Sequence, residues 1–194
     1  PGADPHVSCG IDRPFFLHVG AIESRKNVER LVHAFARFHV SDASGAVLAL
    51  AGPMAPFRRR MVERWAAEAG IPDHVILLGR VEDDRLQALY RGCIAFAFPS
   101  LLEGFGLPPL EAMRTGAAVL ASRSSCMPEV LGEDALWVDA RDVDDIARGL
   151  VQLASDDALR ARLSAAGPAR AALYSWKDAG RSIAERLVEG RTPR

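Results

Sequence analysis

Six short apolar runs recur along the chain, Phe15 to Val19, Ala46 to Ala51, His74 to Leu78, Ile94 to Phe98, Ala117 to Ala121 and Ala135 to Val138. Runs this short suit buried strands, and the intervening segments carry helical spacing, the pattern of βαβ units. Strands so connected pair in parallel, because a parallel pair needs a crossover that returns the chain to the same edge. The expected fold is therefore α/β: a Rossmann-like open parallel sheet of about six strands with helices on both faces.

The crossovers support this reading. Val28, Leu31, Val32, Phe35 and Phe38 recur at helical spacing behind Asn27, which stands where an N-cap would. Val143, Ile146, Ala147, Leu150 and Val151 repeat the pattern, and Asp83 is placed to cap a helix that buries Leu86, Leu89 and Tyr90. A last helix is expected from Ser175, burying Trp176, Ala179, Ile183 and Leu187, and Arg58, Arg59 and Arg60 read as a solvated helix face. With 194 residues, 49% of them hydrophobic, the chain can bury one sizeable core, as one domain or as half of a larger protein.

Several function classes are disfavoured at once. A net charge of -1 offers no field to recruit nucleic acid or an acidic membrane. Cys9, Cys93 and Cys126 lie in no metal-like or CxxC spacing, so free thiols in a reducing cytoplasm are expected. His33 and His39, six apart on one helix, fall on different faces and make no metal pair. His18 reads as a core or crevice-lining residue, and Trp65, Trp137 and Trp176 read as packing residues. No run is long enough for a membrane span, and no signal peptide is present. The chain opens Pro1-Gly2-Ala3-Asp4 without methionine, which reads as a linker and suggests a fragment.

In an open α/β sheet, ligands bind beyond the carboxyl ends of the strands. After the first strand comes Gly20-Ala21-Ile22-Glu23-Ser24-Arg25-Lys26-Asn27, a glycine turn that carries two cations into a helix N-terminus and so suits an anion such as phosphate. After the fourth comes Glu103-Gly104-Phe105-Gly106-Leu107-Pro108-Pro109-Leu110-Glu111. Gly104 and Gly106 let backbone amides approach a ligand, and the two prolines fit a helix's first turn. Glu111 can then accept from a vicinal diol, with Glu103 across the loop. Alternatively Glu111 is a helix-dipole partner and Glu103 a surface acid. A glycoside-hydrolase carboxylate pair fits poorly, because small residues and amides between the acids suit phosphate oxygens better than a general acid. There is no GxGxxG after the first strand and no GK[ST].

The block Glu103 to Met113 resembles the E-x7-E motif of the retaining, GT-B-fold glycosyltransferases of family four. Leu17-His18-Val19-Gly20 with Arg25-Lys26-Asn27 resembles their first-strand phosphate loop, and Leu78-Gly79-Arg80-Val81, Leu86 to Tyr90, Phe98-Pro99-Ser100 and Pro128-Glu129-Val130 match in order. The resemblance implies the C-terminal, donor-binding half of a GT-B fold. Residues 1–14 would be a linker remnant, 15–174 the nucleotide-sugar-binding domain, and 175–194 a helix that crosses back to an N-terminal acceptor-binding domain, with Trp176 at that seam.

Residue by residue, the resemblance implies that Glu111 binds the ribose diol and Glu103 lies beside the donor hexose. Amides of Phe105, Gly106 and Leu107 would meet sugar and diphosphate, beside Gly20 and Gly104. Lys26 and Arg25 would neutralise phosphate, and backbone at Arg80 and Val81 would meet the base. Where many relatives carry arginine after the first-strand glycine, this chain has Ala21, and Arg25 stands in for it. Lys26, Arg25 and Glu103 would then form the catalytic set, with no metal and no cofactor beyond the nucleoside-diphosphate sugar. The loop most resembles bacterial mannosyltransferases of polysaccharide assembly, which implies GDP-mannose, with a UDP-hexose as the other donor class. A glycan or lipid-linked acceptor, no nucleic acid, and a cytoplasmic place peripheral to the membrane through the other half are implied as well. A non-catalytic α/β nucleotide-binding or regulatory module and a GT-B sugar-nucleotide epimerase are the alternatives.

Overall fold

The structure, a computed structural model, describes residues 9–42 and 44–188. Strands β1 (Phe15–Val19), β2 (Val47–Ala51), β3 (Val75–Gly79), β4 (Ala95–Phe98), β5 (Val119–Ser122) and β6 (Leu136–Val138) form one parallel sheet in the order β3-β2-β1-β4-β5-β6. The chain thus winds outward from β1 to one edge and returns to β4 at its other side, with Phe16 opposite Ala95 and Leu17 opposite Phe96. The crevice outside the β1 and β4 carboxyl ends is the topological switch point, where such sheets hold ligands.

Alternation along each strand sends side chains to two cores. Phe16, Leu48 and Leu50 face α1 (Val28–Ser41), α2 (Pro56–Glu68) and α6 (Val143–Ser155). Phe15, Leu17, Val47 and Ala49 face α3 (Asp83–Gly92), α4 (Leu107–Arg114) and α5 (Met127–Leu131). Helices α7 (Asp157–Ala171) and α8 (Trp176–Val188) close the chain. Strands β1, β2, β4 and β5 are buried on both faces, which explains why they read as continuous apolar runs, while the edge strands β3 and β6 are largely half-buried.

The expected α/β architecture is present, with local corrections. Val28, Leu31, Val32, Phe35 and Phe38 are buried as the spacing requires, whereas Val151 at the edge of the α6 stripe is 39% exposed. Asp83 is the first residue of α3 rather than its cap; Glu82 holds that position without a side-chain bond. Helices α5 and α7 carry too narrow an apolar stripe to stand out from sequence. The largest departure is α8, where Trp176, Ile183 and Leu187 are 80%, 61% and 77% exposed rather than buried. Its periodicity specified an amphipathic helix and nothing in it could specify what covers the face. Cys9 and Ile11, ahead of β1, are packed into the second core.

The carboxyl ends of the first three strands are stitched by backbone. Gly20 N–H donates to the Ala51 carbonyl (2.9 Å) and Gly52 N–H to the Gly79 carbonyl (2.7 Å). Gly52 has φ 137°, and a Cβ there would overlap the Gly20 carbonyl oxygen, so only glycine allows this approach. Gly52→Ala should cost at least about 2 kcal/mol, through overpacking against rigid backbone. Urea unfolding checks this: the midpoint should fall with the m-value unchanged.

Candidate donor-binding site at the β1 and β4 switch point

The loop after β1 enters a single 3-10 turn, Ser24–Lys26, before α1. Asn27 follows in the left-handed region (φ 61°), at the N-cap position, yet its side chain does not cap α1. Its Nδ2 instead donates to the carbonyl oxygens of Pro99 (2.9 Å) and Ala140 (2.6 Å), while its Oδ1 accepts from Arg30 (2.9 Å). One carboxamide, 3% exposed, therefore ties the loop after β1 to those after β4 and β6. Leu101 N–H adds a second tie by donating to the Arg25 carbonyl (2.7 Å).

These ties aim the neighbouring cations at Glu103. Lys26 is 6% exposed and Glu103 8%. Lys26 Nζ lies 2.8 Å from Glu103 Oε1, an ion pair that is not aligned as a hydrogen bond, and 4.5 Å from the Phe98 ring centroid. Arg25, with about half its side chain in solvent, donates from Nη1 to Glu103 Oε2 (3.2 Å) and pairs through Nε with Glu23 (2.8 Å). A buried charge survives when paired in this way, and removing one partner strands the other. Glu103 is fixed from behind: its N–H donates to Ser125 Oγ (2.9 Å), and the Cys126 thiol donates to its carbonyl oxygen (3.5 Å).

Gly106 stands at the N-cap of α4 with φ 92°, a left-handed backbone that favours glycine, and a Cβ there would press on the Met127 methyl, the far end of a flexible side chain. Gly104 differs: a Cβ on it would meet no protein atom within 4 Å. Pro108 and Pro109 occupy the first turn and donate nothing, which leaves the N–H groups of Gly106 and Leu107 as the donors at this helix end, with that of Phe105 just ahead of it.

Glu111 lies further along α4, exposed, with Oε2 accepting from Tyr90 OH on α3 (3.1 Å). Burial, and then the Glu111 charge, push the Tyr90 phenol well above its ordinary pKa, so it remains a donor at every ordinary pH. A cavity of about 810 Å³ opens beside it, lined by Leu86, Gln87, Phe105, Leu107, Glu111 and Trp176. A second, of about 540 Å³, lies at the ends of β5 and β6 with Arg123, Trp137 and Arg141 in its wall. Arg80 and Val81 leave edge strand β3, two strands from β1, and lead into α3.

The structure thus gathers Gly20, Arg25, Lys26 and Glu103 at one crevice, with Gly104 to Leu107 as its rim and Glu111 on the following helix. Sequence reasoning missed Tyr90 as a partner of Glu111 and Asn27 as a tie. An apolar helix stripe disguised the first, and a plausible capping role the second. Of the three tryptophans expected in packing, Trp65 is buried, Trp137 half-buried and Trp176 exposed. Cys93 and Cys126 are free thiols, and burial pushes the pKa of Cys93 up to about 12. Among the described residues, no group of three or more His, Cys, Asp or Glu is placed to hold a metal. Asn27→Asp, which sets an oxygen against two buried carbonyls, should cost about 3 kcal/mol or more, read as a lowered urea midpoint.

Comparison with known proteins shows the family. The family model for glycosyl transferases group 1 matches residues 10–170. Over 180 residues the chain is 40% identical to the serotype-specific mannosyltransferase WbdA of Escherichia coli, covering 92% of this chain and 22% of that protein. It is 35% identical over 167 residues to the O-antigen chain mannosyltransferase B of Escherichia coli, covering 84% of this chain and 43% of that one. The chain therefore spans between about a fifth and two fifths of these curated relatives. Sucrose-phosphate synthase from Thermosynechococcus elongatus superposes with a TM-score of 0.85 at 28% identity, over 97% of this chain and 49% of that one. Family match and sheet order agree, and the chain belongs to the group 1 glycosyltransferases.

Proposed function

We propose that this chain is the donor half of a retaining hexosyltransferase and that it holds a nucleoside-diphosphate sugar across the β1 and β4 crevice. The observation that carries the reading is the buried Lys26–Glu103 pair at the switch point, with Arg25 completing it and the start of α4 following Glu103 in the chain. An arriving diphosphate draws Lys26, Arg25 and the N–H groups of Phe105, Gly106 and Leu107, with Gly20 and Gly104 leaving room for it. Glu103 turns its oxygens to hexose hydroxyls. Glu111, oriented by Tyr90 through Oε2, offers Oε1 to the ribose diol. Backbone at Arg80 and Val81 meets the base.

Catalysis in this reading is electrostatic. The bond between the sugar C1 and the diphosphate oxygen breaks, the acceptor oxygen bonds C1 from the same face, and the acceptor proton passes to the departing diphosphate. Lys26, Arg25 and the loop amides stabilise the charge that develops there, without a metal or further cofactor. The Escherichia coli relatives are named as mannosyltransferases, which supports mannose from GDP-mannose over a UDP-hexose. The acceptor, a glycan or a lipid-linked glycan, belongs to a separate N-terminal domain, so this chain alone binds donor without turning it over. No described helix is long and apolar enough to cross a membrane. A cytoplasmic site of action, at the inner face of a membrane, fits a nucleotide-sugar donor.

Calorimetric titration with GDP, UDP, GDP-mannose and UDP-glucose tests the reading. One nucleotide class should bind, equally with and without EDTA, and Glu111→Ala should weaken it at least about tenfold, near 1.4 kcal/mol. Gly104→Ala should leave the unfolding midpoint within about 0.5 kcal/mol of wild type and still weaken the nucleotide, because its methyl meets ligand rather than protein. Binding that needs a divalent ion, or is indifferent to Glu111→Ala, contradicts the reading.

A further inference from the structure

His18, in the penultimate position of β1, is fully buried with Nδ1 2.9 Å from the Ala97 carbonyl oxygen. A carbonyl only accepts, so Nδ1 carries the proton and Nε2 keeps its lone pair. Burial, assisted by the Lys26 charge and opposed by the Ala97 hydrogen bond and Glu103, lowers the pKa to about 4, and the ring is neutral at ordinary pH. Nε2 is enclosed and has no hydrogen-bond partner. A buried acceptor left so is costly and calls for an explanation.

The surroundings supply one. Nε2 and the Lys26 stem flank one point, the place a Cβ on Gly20 would take: it lies 3.8 Å from Nε2, 3.4 Å from Lys26 Cε and 3.7 Å from Cδ. The imidazole also stacks on Phe98 (5.7 Å between centroids, 21°), the ring beneath the Lys26 ammonium. That ammonium has three donors, and its contact with Glu103 Oε1 uses none of them in a directed hydrogen bond.

We propose that His18 is a positioning residue for Lys26: when the donor binds and Glu103 turns to sugar hydroxyls, the Lys26 ammonium takes His18 Nε2 as its acceptor and is held by it against the diphosphate. The inference rests on the donor-site reading above. Gly20, lacking a side chain, leaves open the gap between the Lys26 stem and Nε2 that the ammonium crosses. A neutral ring adds no charge to repel the lysine, and the Ala97 bond fixes which nitrogen faces it.

Two substitutions separate the ring nitrogens. His18→Asn retains a donor near Nδ1 for Ala97 and has no atom at Nε2; His18→Gln reaches the Nε2 position with an acceptor oxygen and gives up Ala97. Calorimetric Kd values for GDP and UDP are compared across the three proteins, with thermal unfolding to confirm that each is folded. His18→Gln should hold the nucleotide within about threefold of wild type and His18→Asn should weaken it about tenfold, the loss of one charge-assisted hydrogen bond. The 15N resonance of Nε2 in the wild-type chain should move upfield on saturation, as for an acceptor nitrogen that gains a hydrogen bond. The reverse order of affinities assigns His18 a structural role through Ala97 and overturns the inference, as do equal affinities with an unmoved resonance. If neither variant folds, the resonance decides: movement supports the inference and its absence overturns it. A wild-type chain that binds neither nucleotide overturns the donor-site reading itself, and this inference with it.

Discussion

The side-chain amide of Asn27 is the joint on which the site depends. Its two N–H groups reach the carbonyls of Pro99 and Ala140, which join loops from three strands that are neither consecutive in sequence nor all adjacent in the sheet. A buried amide satisfied on both sides is rigid, because any displacement leaves donors and acceptors unpaired. Lys26 precedes this joint and inherits its rigidity, which lets a long flexible side chain meet Glu103 in a defined place. The left-handed backbone at residue 27 belongs to the same device: asparagine tolerates it with less strain than most residues, and it turns the chain from the 3-10 turn into α1.

Without a ligand the crevice neutralises itself. Glu103 holds Lys26 and Arg25, and Arg25 also holds Glu23. In the proposed reading an anion competes with Glu103 for two cations rather than meeting bare charge, and the carboxylate it releases becomes an acceptor for sugar hydroxyls. The unequal burial of the two cations gives them different tasks. Arg25, half in solvent, can follow a ligand, while Lys26 is buried against Phe98 and Glu103. The neutrality of His18 matters in the proposed reading, because a third cation beside Lys26 would repel the lysine that is to meet the anion.

Much of this was legible in the residues. Apolar runs of strand length separated by crossovers specified a parallel sheet, and the carboxyl-end rule then singled out Lys26 and Glu103 without coordinates. The proline pair and Gly106 marked the start of α4 and so placed Glu111 on it. What escaped was contact across the fold. Tyr90 sits on a buried helical stripe and looks apolar, and its hydroxyl shows a purpose only when α3 and α4 are seen side by side. Asn27 had a local role ready to hand in capping α1, which hid the long-range one. The exposed face of α8 marks the opposite limit: Trp176, Ile183 and Leu187 repeat as a core stripe does, and a repeat cannot name its partner.

The central claim, that the β1 and β4 crevice receives a nucleoside diphosphate, is tested most directly by a crystal structure of this chain soaked with GDP or UDP. The account predicts phosphate oxygens within hydrogen-bond reach of Lys26 Nζ and the N–H groups of Phe105 to Leu107, and ribose hydroxyls on Glu111. A nucleotide seated instead in the cavity walled by Arg123, Trp137 and Arg141, with the Lys26–Glu103 pair undisturbed, would contradict it.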